Sequence, residues 1–180
     1  MPKKEDWKKI GEPRVLASRY GKSLSAQRYI NPGTGKKEDY ILFGQKDWFV
    51  TLVLTEDNQV VTVSEFKQGR DGWGLELPAD TFKGNGPPDV STVRENILHE
   101  TGYNGNITSL GFTWLATRGS PTRIWHFAMR NAKKIQEAKL DKTEDIICQT
   151  MKLQDWLDAI ANGKITEHSA IVATMLSGVR

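Results

Sequence analysis

Two apolar runs joined by a short polar segment constrain the fold of this chain more than any other feature of its sequence. Trp48–Leu54 and Gln59–Phe66 are rich in β-branched and aromatic residues, which favour strands. The segment between them, Glu56, Asp57 and Asn58, has the composition of a tight turn. We therefore expect two strands joined by a tight turn.

Shorter strand-like pieces lie on both sides of this pair. Arg14–Ala17 and Tyr40–Phe43 flank a turn segment at Asn31–Lys37, and Gly74–Pro78 reads as a strand that ends at its proline. Further pieces follow at Ile107–Gly111 and Arg123–Met129. The chain is therefore expected to begin with strands and to return to strands after its central segment.

Three helices are expected. The central one has Asp89 or Ser91 as its N-cap, runs to about Thr101 and stops at Gly102. Near the C-terminus, apolar residues at helical spacing predict an amphipathic helix over 153–161, and a last helix covers about 167–176. Strands followed by a helix, more strands and two helices predict an α+β fold, with a mixed sheet covered by helices.

Composition restricts the class of protein. The 180 residues carry a net charge of +3 and one cysteine, so a disulfide framework is excluded. The N-terminus lacks the apolar stretch of a signal peptide, and the longest apolar run is too short to span a bilayer. We expect a cytoplasmic protein. A nucleic-acid partner is disfavoured because the sequence shows no basic stripe interleaved with aromatic residues.

The central helix contains the most informative polar residues. Asn96, His99 and Glu100 have the i, i+3, i+4 spacing that places them on one shoulder of a helix, beside an expected buried face of Val90, Val93, Ile97 and Thr101. A carboxylate at the edge of a buried stripe needs a partner. That partner is either an arginine, such as Arg70 or Arg94, or a metal ion.

Several segments, in their order and spacing, resemble the Nudix hydrolase family, and in particular its ADP-ribose pyrophosphatase branch. Gly74–Ala79 followed by Arg94–Tyr103 resembles the Nudix box. The further matching segments are Glu65–Gly69, Ser120–Pro121, Thr143–Ile146 and Gly163–Ile165. The resemblance runs from about residue 40 to the C-terminus.

This resemblance implies a Nudix-type α/β/α sandwich over residues 46–180, preceded by an antiparallel strand region over 1–45 that is the expected contact of a homodimer. It implies a hydrolase that cleaves the diphosphate of ADP-ribose or of a related nucleoside diphosphate sugar, with Mg²⁺ or Mn²⁺ as its metal.

The family's site residues map onto named positions of this chain. Glu100 and Glu144 correspond to catalytic residues. The implied metal-binding residues are Glu100, Asn96, His99 and, through its carbonyl oxygen, Ala79. The implied substrate-binding residues are Arg70, Lys67, Glu76 and Trp73.

The box departs from the family pattern at four positions when Gly102 is aligned with the glycine that ends the family's helix. Asn96 and His99 stand where the family has glutamates, Glu95 stands where it has arginine, and Asp80 stands where it has glycine. Asp80, Glu95 or Glu144 could supply the missing charge, or Asp80 could simply occupy a turn with positive φ. We therefore expect weak or altered turnover. The alternative is a catalytically impaired Nudix-fold protein that binds a nucleotide or a protein partner.

Overall fold

The computed structural model describes residues 5–84, 86–141 and 145–179. Contacts divide the chain into two compact units. The N-terminal unit consists of Met1–Lys46 with Trp114–Arg123, and the helix-bearing unit consists of Asp47–Thr113 with Ile124–Arg180. No helix among the described residues has the length and apolar character needed to cross a membrane.

The N-terminal unit contains an antiparallel sheet of β1 (Lys8–Arg19), β2 (Lys22–Ile30) and β3 (Lys37–Gly44), in that order. The predicted pieces at 14–17 and 40–43 lie inside β1 and β3. β2 was not predicted, because its alternation of serine, alanine and glutamine lacks an apolar signal. The turn at 31–36 therefore joins β2 to β3, and not the first predicted strand to the second.

The second sheet has seven strands: β4 (Trp48–Thr55), β5 (Gln59–Lys67), β6 (Gly72–Glu76), β7 (Ala79–Thr81), β8 (Tyr103–Ala116), β9 (Ser120–Lys134) and β10 (Ile147–Lys152). The main order is β10-β5-β4-β9-β8, with β6 paired to β5 and β7 paired to β4. The sheet is mixed because β4 and β9 run parallel, whereas β5 is antiparallel to its neighbours. The predicted turn at 56–58 joins β4 to β5, and Asn58 adopts φ 56°.

Helices pack against both faces of β4. On one face, α1 (Val90–Thr101) contributes Val93 and Ile97 to a core with Phe49 and Val53. Val50, Leu52 and Leu54 alternate with those strand residues and point to the other face, where α3 (His168–Leu176) packs on β4. The third helix, α2 (Leu153–Ala161), contacts β5 and β10. The predicted α+β fold with a mixed sheet covered by helices is confirmed.

The ends of α1 follow from its capping residues. Asp89 accepts a hydrogen bond from the backbone N–H of Thr92 at 2.7 Å, and Gly102 closes the helix at φ 77°. One prediction for this helix is wrong. Val90 is 42% exposed because it is the first helical residue and lies beyond the edge of the sheet-facing stripe. Glu100, expected at the edge of the stripe, is buried.

Candidate functional site

A polar network connects the shoulder of α1 to the strand that precedes it. Asn96 donates through Nδ2 to Glu100 Oε1 at 2.9 Å and to Asp80 Oδ2 at 3.3 Å. Asp80 lies in β7 opposite Phe49, which places it on the face covered by α1. One amide group therefore links two carboxylates from separate elements.

Two buried oxygens near this network have no hydrogen-bond partner among the described residues. Asn96 Oδ1 is one of them, and Thr51 Oγ1 is the other. Thr51 shares its face of β4 with Phe49 and Val53, and its backbone N–H donates to Pro78 O at 3.0 Å. Buried polar atoms usually have partners, so these acceptors are suited to a bound cation or water. The sequence signal for Thr51 was a hydroxyl inside an otherwise apolar run.

Asp80 is not the residue of a strained turn. It belongs to β7, where it pairs with Phe49 of β4, and its φ is not positive; in the described part of the chain the non-glycine residues with positive φ are Tyr20, Asn58, Asp71 and Asn131. Its Oδ1 accepts from the Thr81 N–H at 2.6 Å. The chain therefore has a carboxylate beside α1 where the family pattern has glycine.

Glu100 is only 5% exposed, and its negative charge affects the pKa of Cys148 in β10. Burial raises the pKa of the Cys148 thiol; Lys134 opposes that shift, and the charges of Glu100 and Glu137 add to it. Cys148 lies opposite Val63, and Val63 lies opposite Glu76 on the other side of β5. Because directly paired residues share a face, Glu76 lies on the face that α1 covers.

The other implied metal ligands are less well placed. His99 is half-buried in the last turn of α1, and its carbonyl accepts from the Lys139 N–H at 2.8 Å. Ala79 pairs with Val50 in the β7–β4 ladder. Glu144 lies outside the described residues. Within 5–84, 86–141 and 145–179, no group of three His, Cys, Asp or Glu side chains is close enough to hold a metal ion.

Three of the four implied substrate-binding residues lie together on β5, β6 and the turn between them. Lys67 contacts Glu65 at 2.6 Å and Glu76 at 3.2 Å. A Cβ atom at Gly74 would lie 2.8 Å from Glu76 Oε1 and 3.3 Å from Arg70 Nη1, so the glycine leaves space for both groups. Burial lowers the pKa of Lys67, but its two carboxylate partners more than offset this and raise it overall.

The carboxyl of Glu76 has an elevated pKa. Burial is the main cause, Lys67 opposes it, and the charges of Glu167 and Glu65 contribute in the same direction as burial. The fourth residue, Trp73, points to the opposite face, where its ring meets Phe66 at 6.4 Å. Sequence spacing alone did not reveal this separation from Glu76.

His126 lies outside this network. It is fully buried in β9, its Nε2 lies 2.8 Å from Thr113 Oγ1, and its Nδ1 has no partner in the described part of the chain. Burial, helped by His168 and opposed by Glu167, lowers its pKa to about 4. His126 is therefore a core residue of β9 and does not face solvent.

Comparison with solved structures identifies the fold class. The crystal structure of an ADP compounds hydrolase matches with a TM-score of 0.76 and 13% sequence identity, covering 94% of this chain and 94% of that one. The chain therefore has the Nudix-type α+β fold that its sequence resemblance implied. At this identity the match shows the fold alone.

Sequence comparison with curated proteins finds one further similarity. The methanol dehydrogenase activator of Bacillus methanolicus is 23% identical over 124 residues, which are 68% of this chain. The chain spans 66% of that relative's length, slightly less than two thirds. No family model matches the sequence. The resemblance to the Nudix box, which departs from the family pattern at Asp80, Asn96 and His99, therefore has no support from a family model.

Proposed function

We propose that this chain is a Nudix-type hydrolase that cleaves the diphosphate of ADP-ribose or of a related nucleoside diphosphate sugar, with weak or altered activity. The observation that carries the proposal is the network in which Asn96 joins Asp80 to the buried Glu100. This network lies on the helix and strand that resemble the Nudix box. The structural neighbour is an ADP compounds hydrolase, and this supports the same substrate class.

The donor set fits a hard divalent cation. Carboxylate and amide oxygens are the ligands that Mg²⁺ and Mn²⁺ prefer, and Asp80, Glu100 and the unpartnered Asn96 Oδ1 supply them. When bound, such an ion would neutralise charge on the diphosphate oxygens. Asp80 replaces part of the charge that is lost at 96 and 99. A contribution from His99 would favour Mn²⁺ over Mg²⁺.

The chain's own residues would bind and orient the substrate. Arg70 is the proposed phosphate contact because Lys67 is already balanced by Glu65 and Glu76. Trp73 faces away from this cluster, so we leave it out of the proposed subsite. Glu144 remains the candidate general base on the strength of the family resemblance. We propose a cytoplasmic location on the same basis, together with the single cysteine.

The test is turnover of a nucleoside diphosphate panel, led by ADP-ribose, with Mg²⁺ or Mn²⁺. Glu100→Gln keeps the shape of the side chain and removes its charge, and we expect it to lower kcat by about 100-fold or more. Glu56→Gln is the matched control, because Glu56 is an exposed carboxylate that pairs with Lys133. Equal rates for Glu100→Gln and the wild type would reject the proposal.

A second candidate is a Nudix-fold protein that binds a nucleotide or a protein partner without turnover. The observation in its favour is that the described residues contain no group of three metal-binding side chains of the His, Cys, Asp or Glu type. The relative described as an activator of methanol dehydrogenase also supports a protein-directed role. A nucleotide that raises the melting temperature but is not cleaved with any metal would favour this candidate.

A further inference from the structure

The two faces of the N-terminal sheet differ in charge. Residues 1–46 and 114–123 contain 13 of the 25 lysines and arginines and five of the 22 acidic residues, which is a net charge of +8. Side chains alternate between the faces of a strand, so the register of the sheet assigns each paired residue to a face. The cations that share a face with Leu24, Ile41 and Phe43 are Lys8, Arg14, Arg19, Lys22, Arg28 and Lys37.

The other face is close to neutral and contains a cavity of about 480 Å³. Its charged residues among the paired positions are Lys9 and Glu38, which lie on the two sides of Tyr29. Every residue that lines the cavity belongs to the N-terminal unit, and the volume is typical of a small-molecule site. The floor consists of alternate β2 residues, which are Ser23, Ser25, Gln27 and Tyr29.

A bulge in β1 builds one wall of this cavity. The register of β1 with β2 shifts between Ile10 and Arg14, and Pro13 inside the shifted segment lines the cavity. Gln27, which is only 3% exposed, donates through Nε2 to the carbonyl oxygens of Ile10 and Gly11, both at 3.3 Å. These bonds fix the side-chain amide, and its Oε1 makes no hydrogen bond in the described part of the chain. The bulge therefore holds a carbonyl acceptor at the floor of the cavity.

Serine hydroxyls line the same cavity. Those of Ser23 and Ser25 make no hydrogen bond among the residues that the structure describes. Gly44 leaves room for the first of them, because a Cβ atom there would lie 2.8 Å from Ser23 Oγ. The buried Ser120 hydroxyl accepts from the Thr122 N–H at 3.3 Å and keeps a hydrogen to donate. The cavity therefore contains several uncharged donors and acceptors.

The hairpin between β8 and β9 adds an aromatic surface on a fixed support. Trp114 lines the cavity and is 48% exposed. The Phe43 N–H donates to Gly119 O at 2.7 Å, and Thr122 Oγ1 donates to Gln45 O at 3.1 Å. The segment that carries the tryptophan is therefore bonded at two points to β3 and to the residue that follows it.

We propose that this cavity binds an uncharged saccharide of one or two pyranose rings. The apolar C–H face of such a ring packs on an aromatic side chain, here Trp114. The hydroxyls of a sugar both donate and accept, and they match the free serine hydroxyls and Gln27 Oε1. An anionic ligand is a poor occupant, because Lys9 is offset by Glu38 on the same face. An apolar ligand would leave the polar lining groups buried without partners.

The position of the cavity also argues against a peptide. An extended peptide adds to an unpaired sheet edge, whereas this cavity lies on the face of paired strands. The sequence did not reveal the cavity, because its lining residues come from separate segments at 9–13, 23–29, 42–44 and 114–121. The register of the sheet, and not any local motif, brings the hydroxyls and the tryptophan together.

The test is a ¹H–¹⁵N correlation spectrum of the full chain, titrated with maltose, cellobiose or lactose. The six tryptophans give indole N–H signals, and the signal that is lost in Trp114→Ala identifies Trp114. We expect at least one disaccharide to shift this signal saturably, with a Kd on the order of 1 mM. Trp73 is also 48% exposed but lies in the helix-bearing unit, so its signal should not move.

Trp114→Ala and Trp73→Ala form a matched pair of variants. In saturation-transfer NMR of the sugar, we expect the first to weaken binding about tenfold through the loss of the stacking surface, and the second to bind as the wild type does. Ser25→Ala should weaken binding severalfold, because one hydroxyl partner is lost. Trp114→Phe keeps a ring and should retain most of the binding. Melting temperatures of the variants distinguish lost binding from lost structure.

Three results would overturn the proposal. The first is a Trp114 signal that does not move with any of the three disaccharides at about 50 mM. The second is equal weakening by Trp114→Ala and Trp73→Ala. The third is tighter binding of glucose 6-phosphate than of glucose, which would show that the cavity prefers an anion. ADP-ribose turnover is measured separately, so either proposal can fail without the other.

Discussion

Asn96 is the residue that most distinguishes this site from the pattern it resembles. Its Nδ2 group donates to two carboxylates, and this reduces the repulsion between Asp80 and Glu100 while leaving Oδ1 unpartnered. A glutamate at the same position would add a negative charge to the pair. The network is therefore self-consistent without a metal, and we expect metal affinity to be lower than three carboxylates would give.

Asn96→Asp tests this interpretation. It removes the two donated hydrogen bonds and adds a third carboxylate, so we expect a loss of about 1–2 kcal/mol of stability in EDTA. Mg²⁺ should restore much of that loss, because a cation bound only by the folded state stabilises it. Asn96→Ala is the control, since it loses the same bonds without gaining charge and should not respond to Mg²⁺. The measurement is the melting temperature of both variants with and without Mg²⁺. An identical change in melting temperature for the two variants would contradict the interpretation.

His126 makes stability depend on pH. Its pKa is about 4 in the folded chain against 6.5 for the free side chain, so the unfolded state binds more protons between these values. Stability is therefore fully present above about pH 6.5 and falls as the pH decreases toward 4. We expect this residue to account for about 2 kcal/mol of the loss between pH 7.5 and 5. Urea unfolding of His126→Gln should show a shallower dependence, and an unchanged slope would refute the assignment.

Part of the site is predictable from local sequence, and the rest depends on tertiary structure. The spacing of Asn96 and Glu100 correctly predicted a shared shoulder of α1, because helical periodicity fixes it. The contact with Asp80 depends on how β7 pairs with β4, which no local pattern encodes. The orientation of Trp73 away from Glu76 follows from strand alternation, but applying it required the register of β6.

At the scale of elements, Gly102 both ends α1 and permits a close contact. Its φ is 77°, and a Cβ atom there would lie 2.0 Å from the carbonyl oxygen of Gln136. Gly163 after α2 has a similar φ of 68°, but nothing lies within 4 Å of a Cβ atom built on it. Substituting both glycines by alanine therefore distinguishes the free-energy cost of backbone strain, which both share, from the cost of steric exclusion, which arises only at Gly102.

We expect Gly163→Ala to cost about 1 kcal/mol from strain alone. Gly102→Ala should cost about 3 kcal/mol or more, because the backbone of the contacting segment must also move. Chemical denaturation of both variants provides the measurement. Similar losses for the two would show that the contact with Gln136 relaxes freely.

Elements with strong local signals were predicted well. β4, β5, α1 and α2 have clear periodicity or capping residues, and their predicted bounds differ little from those of the structure. β2, β7 and β10 were missed. Each of them lacks a continuous apolar run, and each is held in place by pairing with a neighbouring strand. Tertiary pairing therefore determined the elements that local sequence did not.

At the scale of the whole molecule, the expected homodimer remains a proposal. On one face of the N-terminal sheet, Leu24, Ile41 and Phe43 form an exposed apolar row, and each is more than a third exposed. Such rows are common at interfaces between subunits. We expect the wild-type chain to be a dimer in light scattering and Ile41→Glu to be a folded monomer that still melts cooperatively, at a somewhat lower temperature because the stabilisation from association is lost. A monomeric wild type, or a dimer that tolerates this substitution, would contradict the proposal.

The N-terminal unit and the helix-bearing unit differ in charge as well as in architecture. The N-terminal unit is strongly basic and consists of strands, whereas the unit that contains α1 is acidic overall. Net charge reports on partners and association, and not on fold. The sequence predicted the architecture of the second unit in outline, but in the first unit the position of β2 between β1 and β3 depends on strand pairing that no local pattern encodes.

The central claim is that Asp80, Asn96 and Glu100 form a divalent metal site on the shoulder of α1. A titration with Mn²⁺, followed by the electron paramagnetic resonance signal of the free ion, tests it without any assumption about substrate. We predict one bound Mn²⁺ per chain, with an affinity at least about tenfold lower in Glu100→Gln, which corresponds to ~1.4 kcal/mol, and unchanged in Glu56→Gln. No bound Mn²⁺ in the wild type, or equal affinity in Glu100→Gln, would contradict the claim.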